Sequence, residues 1–310
     1  MIDIQRIAKF YGGTVCNGNA VIRTPGHSSR DRGTALKPSV GAPDGLLVTC
    51  YNGDTADALA VKDMLRRDGL LPLHSAPARD LSPAERRGLS YQLEASKRRR
   101  LAGEEAAAQV AGDAWAKASR ASRGHPYLVA KRLKPFGIRQ SGDALLVPMV
   151  DAQFQLWNVQ RIRPDGRKLF AKGARTAGLF WPHGLHCADG NPTAGPLVIG
   201  EGFATMAVVH AETGLGVAAA MSARNLGSVA RAMRQVFPTR PIIIAADDDR
   251  HLPANIGLRA AREAAGAVDG QIAVPLPETD RRKSGADFAD IPRDEVSAHF
   301  LTVNPGRLAA

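Results

Sequence analysis

Two apolar runs in this chain end in acid: Leu197-Val198-Ile199-Gly200-Glu201-Gly202 and Ile242-Ile243-Ile244-Ala245-Ala246-Asp247-Asp248-Asp249. Carboxylates crowded into one crevice repel each other unless a cation neutralises them. Magnesium suits that task, because it takes oxygen ligands, keeps waters and bridges to substrate phosphates. If Asp247 and Asp249 continue a strand, their side chains point to one side and that of Asp248 to the other, so the outer pair can share a cation. Gly200 and Gly202 flank Glu201 and leave room for a substrate backbone to approach. Asp287 and Asp290, in Gly285-Ala286-Asp287-Phe288-Ala289-Asp290-Ile291, return two more carboxylates late in the chain. The competing reading is that Asp247, Asp248 and Asp249 merely cap the next helix; the matching Glu201 stretch tips the balance towards a metal site.

These acids need a scaffold, and the sequence around them supplies one. Apolar segments at 196–200, 216–221, 241–246 and 271–276 alternate with helical patterns at 203–213, 225–236 and 255–267. Strands alternating with helices of this length imply a parallel sheet with right-handed crossovers. Short runs that are apolar on every residue are strands buried on both faces. Ligands of open α/β sheets gather at the carboxyl ends of the strands, where Glu201 and the aspartates would meet.

Upstream, 144–149 and 154–162 read as strands around the turn Asp151-Ala152-Gln153, and 168–175 follows the turn Pro164-Asp165-Gly166. Gln155, Trp157, Val159 and Arg161 share one face, since side chains alternate along a strand. Arg161, Arg163, Lys168, Lys172 and Arg175 thus cluster on a small antiparallel subdomain with aromatics between them. Cations interleaved with aromatics suit single-stranded nucleic acid, where backbone charge and base stacking both contribute.

Before this lies a helical, basic stretch opened by Ser75-Ala76-Pro77 and by Pro83 in a first helical turn. Between Arg79 and Arg139 there are 14 Lys or Arg against 6 Asp or Glu, a balance of +8. Its densest point, Lys97-Arg98-Arg99-Arg100, is either a solvated helix face or a nucleic-acid contact. His125-Pro126-Tyr127-Leu128 starts a short helix, at which His125 is read as a capping or packing residue rather than a ligand.

Residues 3–10 predict a helix, and 54–67 a second one capped by Asp54 and ended by Gly69. Between them lies a compact β module. Thr24-Pro25-Gly26-His27 and Thr49-Cys50-Tyr51-Asn52-Gly53 stand where a zinc ribbon would hold four ligands, yet His27 and Cys50 alone are of ligand type. The module is therefore read as metal-free, with zinc not expected. Ser28 to Lys37 carries cations and hydroxyls suited to phosphates, and a solvated loop is the equal alternative.

The 310 residues allow two domains. Hydrophobic residues at 44% and charged residues at 23% are ordinary, whereas a formal charge of +11 favours a polyanionic partner. The sequence holds no bilayer-spanning run and no signal-peptide pattern. Cys16, Cys50 and Cys187 are odd in number and far apart, which disfavours a disulfide framework. A cytoplasmic protein with no membrane partner is expected.

Glu201-Gly202 after a strand, Asp247-Asp248-Asp249 two strands later, and the closing Asp287 with Asp290 together resemble the Toprim domain shared by topoisomerases, primases and some nucleases. Leu146-Val147-Pro148-Met149-Val150-Asp151, Trp157-Asn158-Val159-Gln160-Arg161 and Lys168-Leu169-Phe170-Ala171-Lys172-Gly173 resemble the basic subdomain that precedes Toprim in bacterial-type primases, especially those of plasmids and phages. His125-Pro126-Tyr127-Leu128 resembles the helix leading into it. The resemblance covers about residues 125–292, and residues 1–75 weakly. It implies an α/β fold with a small N-terminal α+β module (1–75, a degenerate zinc ribbon) and a basic helical linker (76–124). A basic antiparallel subdomain (125–195) would then lead to a four-stranded parallel Toprim sheet flanked by helices (196–310).

The function implied is template-directed primer synthesis: attack of a 3′-hydroxyl on the α-phosphate of a nucleoside triphosphate, with Mg2+ or Mn2+ as cofactor. Glu201 would be the general acid or base, and Asp247, Asp249 and Asp287 would hold the metal, with Asp290 a further candidate. Arg161, Lys168 and Lys172 would guide single-stranded DNA or nucleotide, and a replicative helicase is the further partner that the resemblance raises. Thr205 stands where many primases carry another acid. A Toprim nuclease would need the same acids without a triphosphate site, and a non-catalytic DNA-binding replication protein would need neither. A topoisomerase is disfavoured, since none of Tyr11, Tyr51, Tyr91 and Tyr127 lies in a recognisable cleavage module.

Overall fold

A computed structural model describes residues 2–16, 18–26, 31–39, 42–51, 55–72, 82–171, 173–186, 190–191, 193–250, 255–275 and 285–301. His27, Ser28, Ser29, Arg30, Asn52, Gly53, Asp54, Ser75, Ala76, Pro77, Arg79, Lys172 and Cys187 lie outside the described residues. The chain forms two compact units, Met1–Leu93 and Glu94–Ala310.

In the first unit, helix α1 (Ile4–Phe10) starts where the Asp3 carboxylate accepts the Arg6 amide at 2.9 Å. A four-stranded antiparallel sheet follows, from β1 (Thr14–Cys16), β2 (Asn19–Ile22), β3 (Thr34–Pro38) and β4 (Leu46–Cys50), and helix α2 (Thr55–Arg67) comes after it. Ile7, Ala20, Ile22, Leu36, Leu46, Val61 and Leu65 make the core. At the β3–β4 end, Thr24 and Thr34 share a hydrogen bond at 2.9 Å, Thr34 and Cys50 one at 3.3 Å, and the Thr24 amide donates to Asp31 at 2.8 Å. Thr24, Thr34 and Cys50 thus form a hydrogen-bonded chain of two hydroxyls and a thiol.

Helix α3 (Pro83–Lys117) is 35 residues long. It is shorter at its carboxyl end than the sequence pattern suggests, because Ser119–Arg120 already pairs as a strand, β5. Ala111 is its buried anchor, packed with Leu146 and Val159 beside Trp115. Lys97, Arg98, Arg99 and Arg100 are exposed, and Arg100 pairs with Glu104 at 2.6 Å.

The second unit holds two further sheets. After α4 (Pro126–Ala130), β5 joins β6 (Arg139–Ser141), β7 (Ala144–Val150), β8 (Leu156–Ile162) and β9 (Lys168–Leu169) in an antiparallel sheet ordered β5-β6-β7-β8-β9. His125 caps α4: its Nδ1 accepts the Tyr127 amide at 3.2 Å, and its Nε2 meets the Asp143 carbonyl at 2.9 Å. The ring is buried and occupied on both nitrogens, so it serves the fold. Within the segment 168–175, Lys168 and Leu169 pair with β8.

The next sheet is built from β10 (Trp181–His183), β11 (Leu197–Gly200), β12 (Gly216–Ala219), β13 (Ile242–Ala245) and β14 (Gln271–Ala273), ordered β10-β12-β11-β13-β14. Helices α5 (Phe203–Thr213), α6 (Ala223–Val236) and α7 (Ile256–Gly266) are its crossovers, and α8 (Arg293–Val296) and α9 (Ala298–Leu301) follow. Four strands are parallel, as the alternation predicts. The fifth, β10, runs antiparallel on the edge of β12, so the sheet has one strand more than the four expected. Three residues reading Trp-Pro-His carry no strand periodicity, so nothing local marks this element.

Alternation along β11 assigns its two faces. Val198 packs with Phe203, Val217, Leu145, Val147 and Met149, while Leu197 and Ile199 pack with Leu226, Val229, Leu258 and Ala261. One core therefore runs from the antiparallel sheet into the parallel one. Asn225 fastens the same junction: its Oδ1 accepts the Gly178 amide at 2.7 Å, and its Nδ2 donates to the carbonyls of Leu179 and Ala220 at 2.8 Å each.

Candidate metal and nucleotide site

Glu201 follows β11, Asp247 and Asp249 follow β13, and Asp287 follows Ala286, which bridges to Asp248. Glu201 leaves β11 and meets the start of α6, where the Ala223 amide bonds its carboxylate. Burial raises its pKa, Asp249 and then Asp287 raise it further, and Lys168 and the Ala223 amide pull it down. Asp247, two residues past β13, is pushed well above the ordinary carboxylate range, first by burial and then by Glu201, Asp287 and Asp249. Asp287 is raised by burial and by Asp290, against Lys131 and Lys168. Glu201, Asp247, Asp249 and Asp287 are thus within electrostatic reach of one another.

Asp249 has a second occupation: its Oδ2 accepts the Gly257 amide at 2.9 Å at the start of α7. The helix-capping reading of the triple aspartate is therefore met at this side chain. Asp248 points the other way, as alternation requires, and is 2% exposed. Its Oδ1 accepts Asn255 Nδ2 at 2.7 Å, Arg250 Nε lies 3.7 Å from its Oδ2, and its backbone pairs both ways with Ala286. Gly257 cannot carry a side chain, since a Cβ there would stand 2.5 Å from the Asp247 carbonyl.

Gly200 has a packing duty rather than a ligand-facing one. A Cβ there would lie 2.5 Å from Met206 Cε, so the Met206 side chain would have to shift to admit one. Gly202 is the open one, with Thr205 Oγ1 at 3.4 Å and Lys168 Nζ at 3.9 Å from a notional Cβ. Thr205 itself is buried in α5.

The remaining sequence candidates separate. Lys168 pairs with Ile162 across β8–β9 and reaches the acids from the antiparallel sheet. Asp290 instead turns to the Asp287 amide at 3.2 Å and to Lys131 at 3.6 Å, and is half exposed. Arg163 grips both oxygens of Asp143 at 3.1 and 3.0 Å, far from a free cation. Arg175 lies 5.0 Å over the Trp157 ring, whose Nε1 donates to Asp151 at 2.7 Å, and Arg161 is exposed. Lys97 to Arg100 are exposed on α3, where Arg100 pairs with Glu104. Sequence reasoning passed over Lys131 and Arg293, which donates to the Lys131 carbonyl at 2.8 Å and feels Asp287. A basic residue one turn after Tyr127 was the available signal for Lys131, and none existed for Arg293.

The residues fit a divalent cation. Asp247 Oδ1 is shielded from solvent and has no hydrogen-bond partner, a costly state for a carboxylate without a counter-charge. Among the described residues no three His, Cys, Asp or Glu side chains close around one point as a full protein cage would. Magnesium asks for less, because one or two carboxylates suffice when waters and substrate phosphates complete the shell. Among the described residues no helix is long and apolar enough to cross a membrane.

Residues 196–298 match the family model of the Toprim domain. A DNA primase TraC of Escherichia coli is 36% identical over 204 residues, covering 64% of this chain and 14% of that protein. A second E. coli TraC is 39% identical over 158 residues, covering 49% of this chain and 15% of that protein. This chain spans about 15% of the length of these curated relatives. Among solved structures, the Aquifex aeolicus primase with its zinc-binding and RNA polymerase domains aligns with 97% of this chain and 83% of that one, at 13% identity and a TM-score of 0.41. The primase fragment of the bacteriophage T7 primase-helicase aligns with 56% of this chain and 72% of its own, at 15% identity and a TM-score of 0.41. The segment 196–298, which holds the acids that follow β11 and β13, is thus similar to the Toprim domain, in a chain similar to the TraC DNA primases.

Proposed function

We propose that this chain is a primase-type nucleotidyltransferase, joining nucleoside triphosphates into short primers on single-stranded DNA. The observation that carries the proposal is the buried, unpartnered Asp247 oxygen set among Glu201, Asp249 and Asp287. Asp247, Asp249 and Asp287 would hold Mg2+ or Mn2+. When bound, that ion offsets phosphate charge and orients the oxygens of the transfer.

The chain's own groups supply the rest. Glu201, with its pKa raised by burial, can hold and return a proton at neutral pH better than an ordinary carboxylate. It would take the proton of the attacking 3′-hydroxyl at its carboxylate oxygen as that hydroxyl bonds the α-phosphorus, the α–β bond breaks and pyrophosphate leaves. Lys168 enters from the facing sheet and would meet phosphate oxygens that the acids alone would repel. Arg161, and Arg175 stacked on Trp157, provide a charged, aromatic surface on which a DNA strand could lie. Arg163 is committed to Asp143 and has the weaker claim.

The test is incubation with single-stranded DNA, Mg2+ and labelled ribonucleotides. Short products that disappear in Asp247→Asn and Glu201→Gln support the proposal. Cleaved DNA without products would replace it with a nuclease, and tight binding with neither would leave a DNA-binding module.

A further inference from the structure

Of the three consecutive aspartates, the middle one is the least like a ligand and the most connected. Asp248 is buried at 2% exposure and faces away from the acid crevice, yet three segments converge on it. Its Oδ1 takes the side chain of Asn255, a residue held at φ +37°, in the left-handed region that non-glycine residues seldom adopt. Asn255 is the residue immediately before α7. Two positions later, the Gly257 amide bonds Asp249 at 2.9 Å. Oδ2 of Asp248 faces Arg250 at 3.7 Å, at the other end of the loop between β13 and α7. The backbone of Asp248 exchanges hydrogen bonds with Ala286 at 2.9 and 3.0 Å, which fixes the residue before Asp287.

We infer that Asp248 is the positioning residue of this site: it binds no cation, and it holds the start of α7 so that the carboxylate of Asp249 is anchored beside that of Asp247. Asparagine is among the residues that best tolerate this region, and the 2.7 Å bond that its Nδ2 donates to Asp248 holds its side chain in place. The charge of Asp248 is matched by Arg250 on its own side, so it adds little to the repulsion among Glu201, Asp247, Asp249 and Asp287. The consequence for metal binding rests on the function proposed above, whereas the anchoring of α7 does not.

The experiment uses the full chain and two readouts. Hydrogen exchange at the Gly257 amide reports the anchoring, with the Val198 amide in β11 as reference. Mn2+ titration followed by electron paramagnetic resonance reports the cation. In Asp248→Ala, Gly257 should exchange at least tenfold faster with Val198 unchanged, and the Mn2+ concentration at half-saturation should rise at least tenfold. Asp248→Asn keeps an acceptor for Asn255 and should stay within about threefold of the parent on both. Asn255→Ala should reproduce Asp248→Ala, and the double variant should be no worse than either, since the two act through one bond.

Unchanged Gly257 protection in Asp248→Ala, equal loosening at Val198, or additive single effects would overturn the inference. So would an Asp248→Asn defect as large as that of Asp247→Asn, which would make Asp248 a ligand. If the parent binds no Mn2+, or Asp247→Asn binds it normally, the metal reading fails, and Gly257 exchange still decides the role of Asp248.

Discussion

Replacing Asp247 by Asn should stabilise the metal-free protein while removing its metal-dependent behaviour. Asp247 feels three like charges, Glu201, Asp287 and Asp249, against one opposite charge, Lys168, leaving two uncompensated repulsions. With partial exposure of the partners discounted, each is worth about 1 kcal/mol, so neutralising the side chain should yield about 2 kcal/mol. For a unit of this size that is a rise in Tm of about 4–8 °C. The sign with pH follows from the raised pKa. The folded state holds the Asp247 proton more tightly than the unfolded state, so the penalty is present at neutral pH and fades as pH falls through the folded value. Parent protein in chelator should therefore gain stability on mild acidification, and Asp247→Asn should gain less. Saturating Mg2+ should shrink or reverse the difference, since ligand at ten times its Kd adds about 1.4 kcal/mol to the parent alone. The assay is thermal unfolding across pH, with chelator and with Mg2+. A variant equal to or less stable than the parent in chelator, or a gain that Mg2+ leaves untouched, would refute the picture of a frustrated carboxylate cluster.

Further outcomes follow from other contacts. Asn225→Ala strands the Gly178 amide and the carbonyls of Leu179 and Ala220, and should cost about 2–4 kcal/mol in denaturant unfolding. Gly257→Ala forces a Cβ against the Asp247 carbonyl and should weaken Mn2+ binding more than tenfold in titration. Arg161→Ala and Arg175→Ala should each weaken single-stranded DNA binding and lower the salt slope by about 0.7 in fluorescence anisotropy at several salt concentrations. Replacing Lys97, Arg98, Arg99 and Arg100 together by Ala distinguishes the two readings of α3: an unchanged salt slope makes that run a solvated face.

The parallel sheet was legible because each strand is apolar on every residue and each helix between has its own period. The acids were legible because they follow such runs directly. What escaped was whatever depends on distant partners. Trp181–His183 becomes a strand because the exposed edge of β12 offers it a ladder, not because its residues favour extension. Arg163 looks like Arg161 in sequence, yet Asp143, twenty residues away, decides that one is committed and the other exposed. Asp290 follows no apolar run, and its contacts with the Asp287 amide and the ammonium of Lys131 appear only once the turn is formed. Asp248 could be placed on the opposite face by alternation alone, whereas its bond to Asn255 needed the loop closed.

Edge strand β10 also bears on how this protein could be divided. Val150 and Phe180 exchange backbone hydrogen bonds at 2.9 Å, so the segment entering β10 is stitched to β7 just before it pairs with β12. A fragment cut at residue 196, where the family match begins, would discard that stitch and bare the outer edge of β12. It would also lose Trp181, whose ring lies 4.8 Å from that of Phe203. Such a piece should aggregate through its open edge. For graft or chimera work, the smallest exchangeable cassette therefore reaches back through β7, and the basic and acidic halves are inherited as a single part.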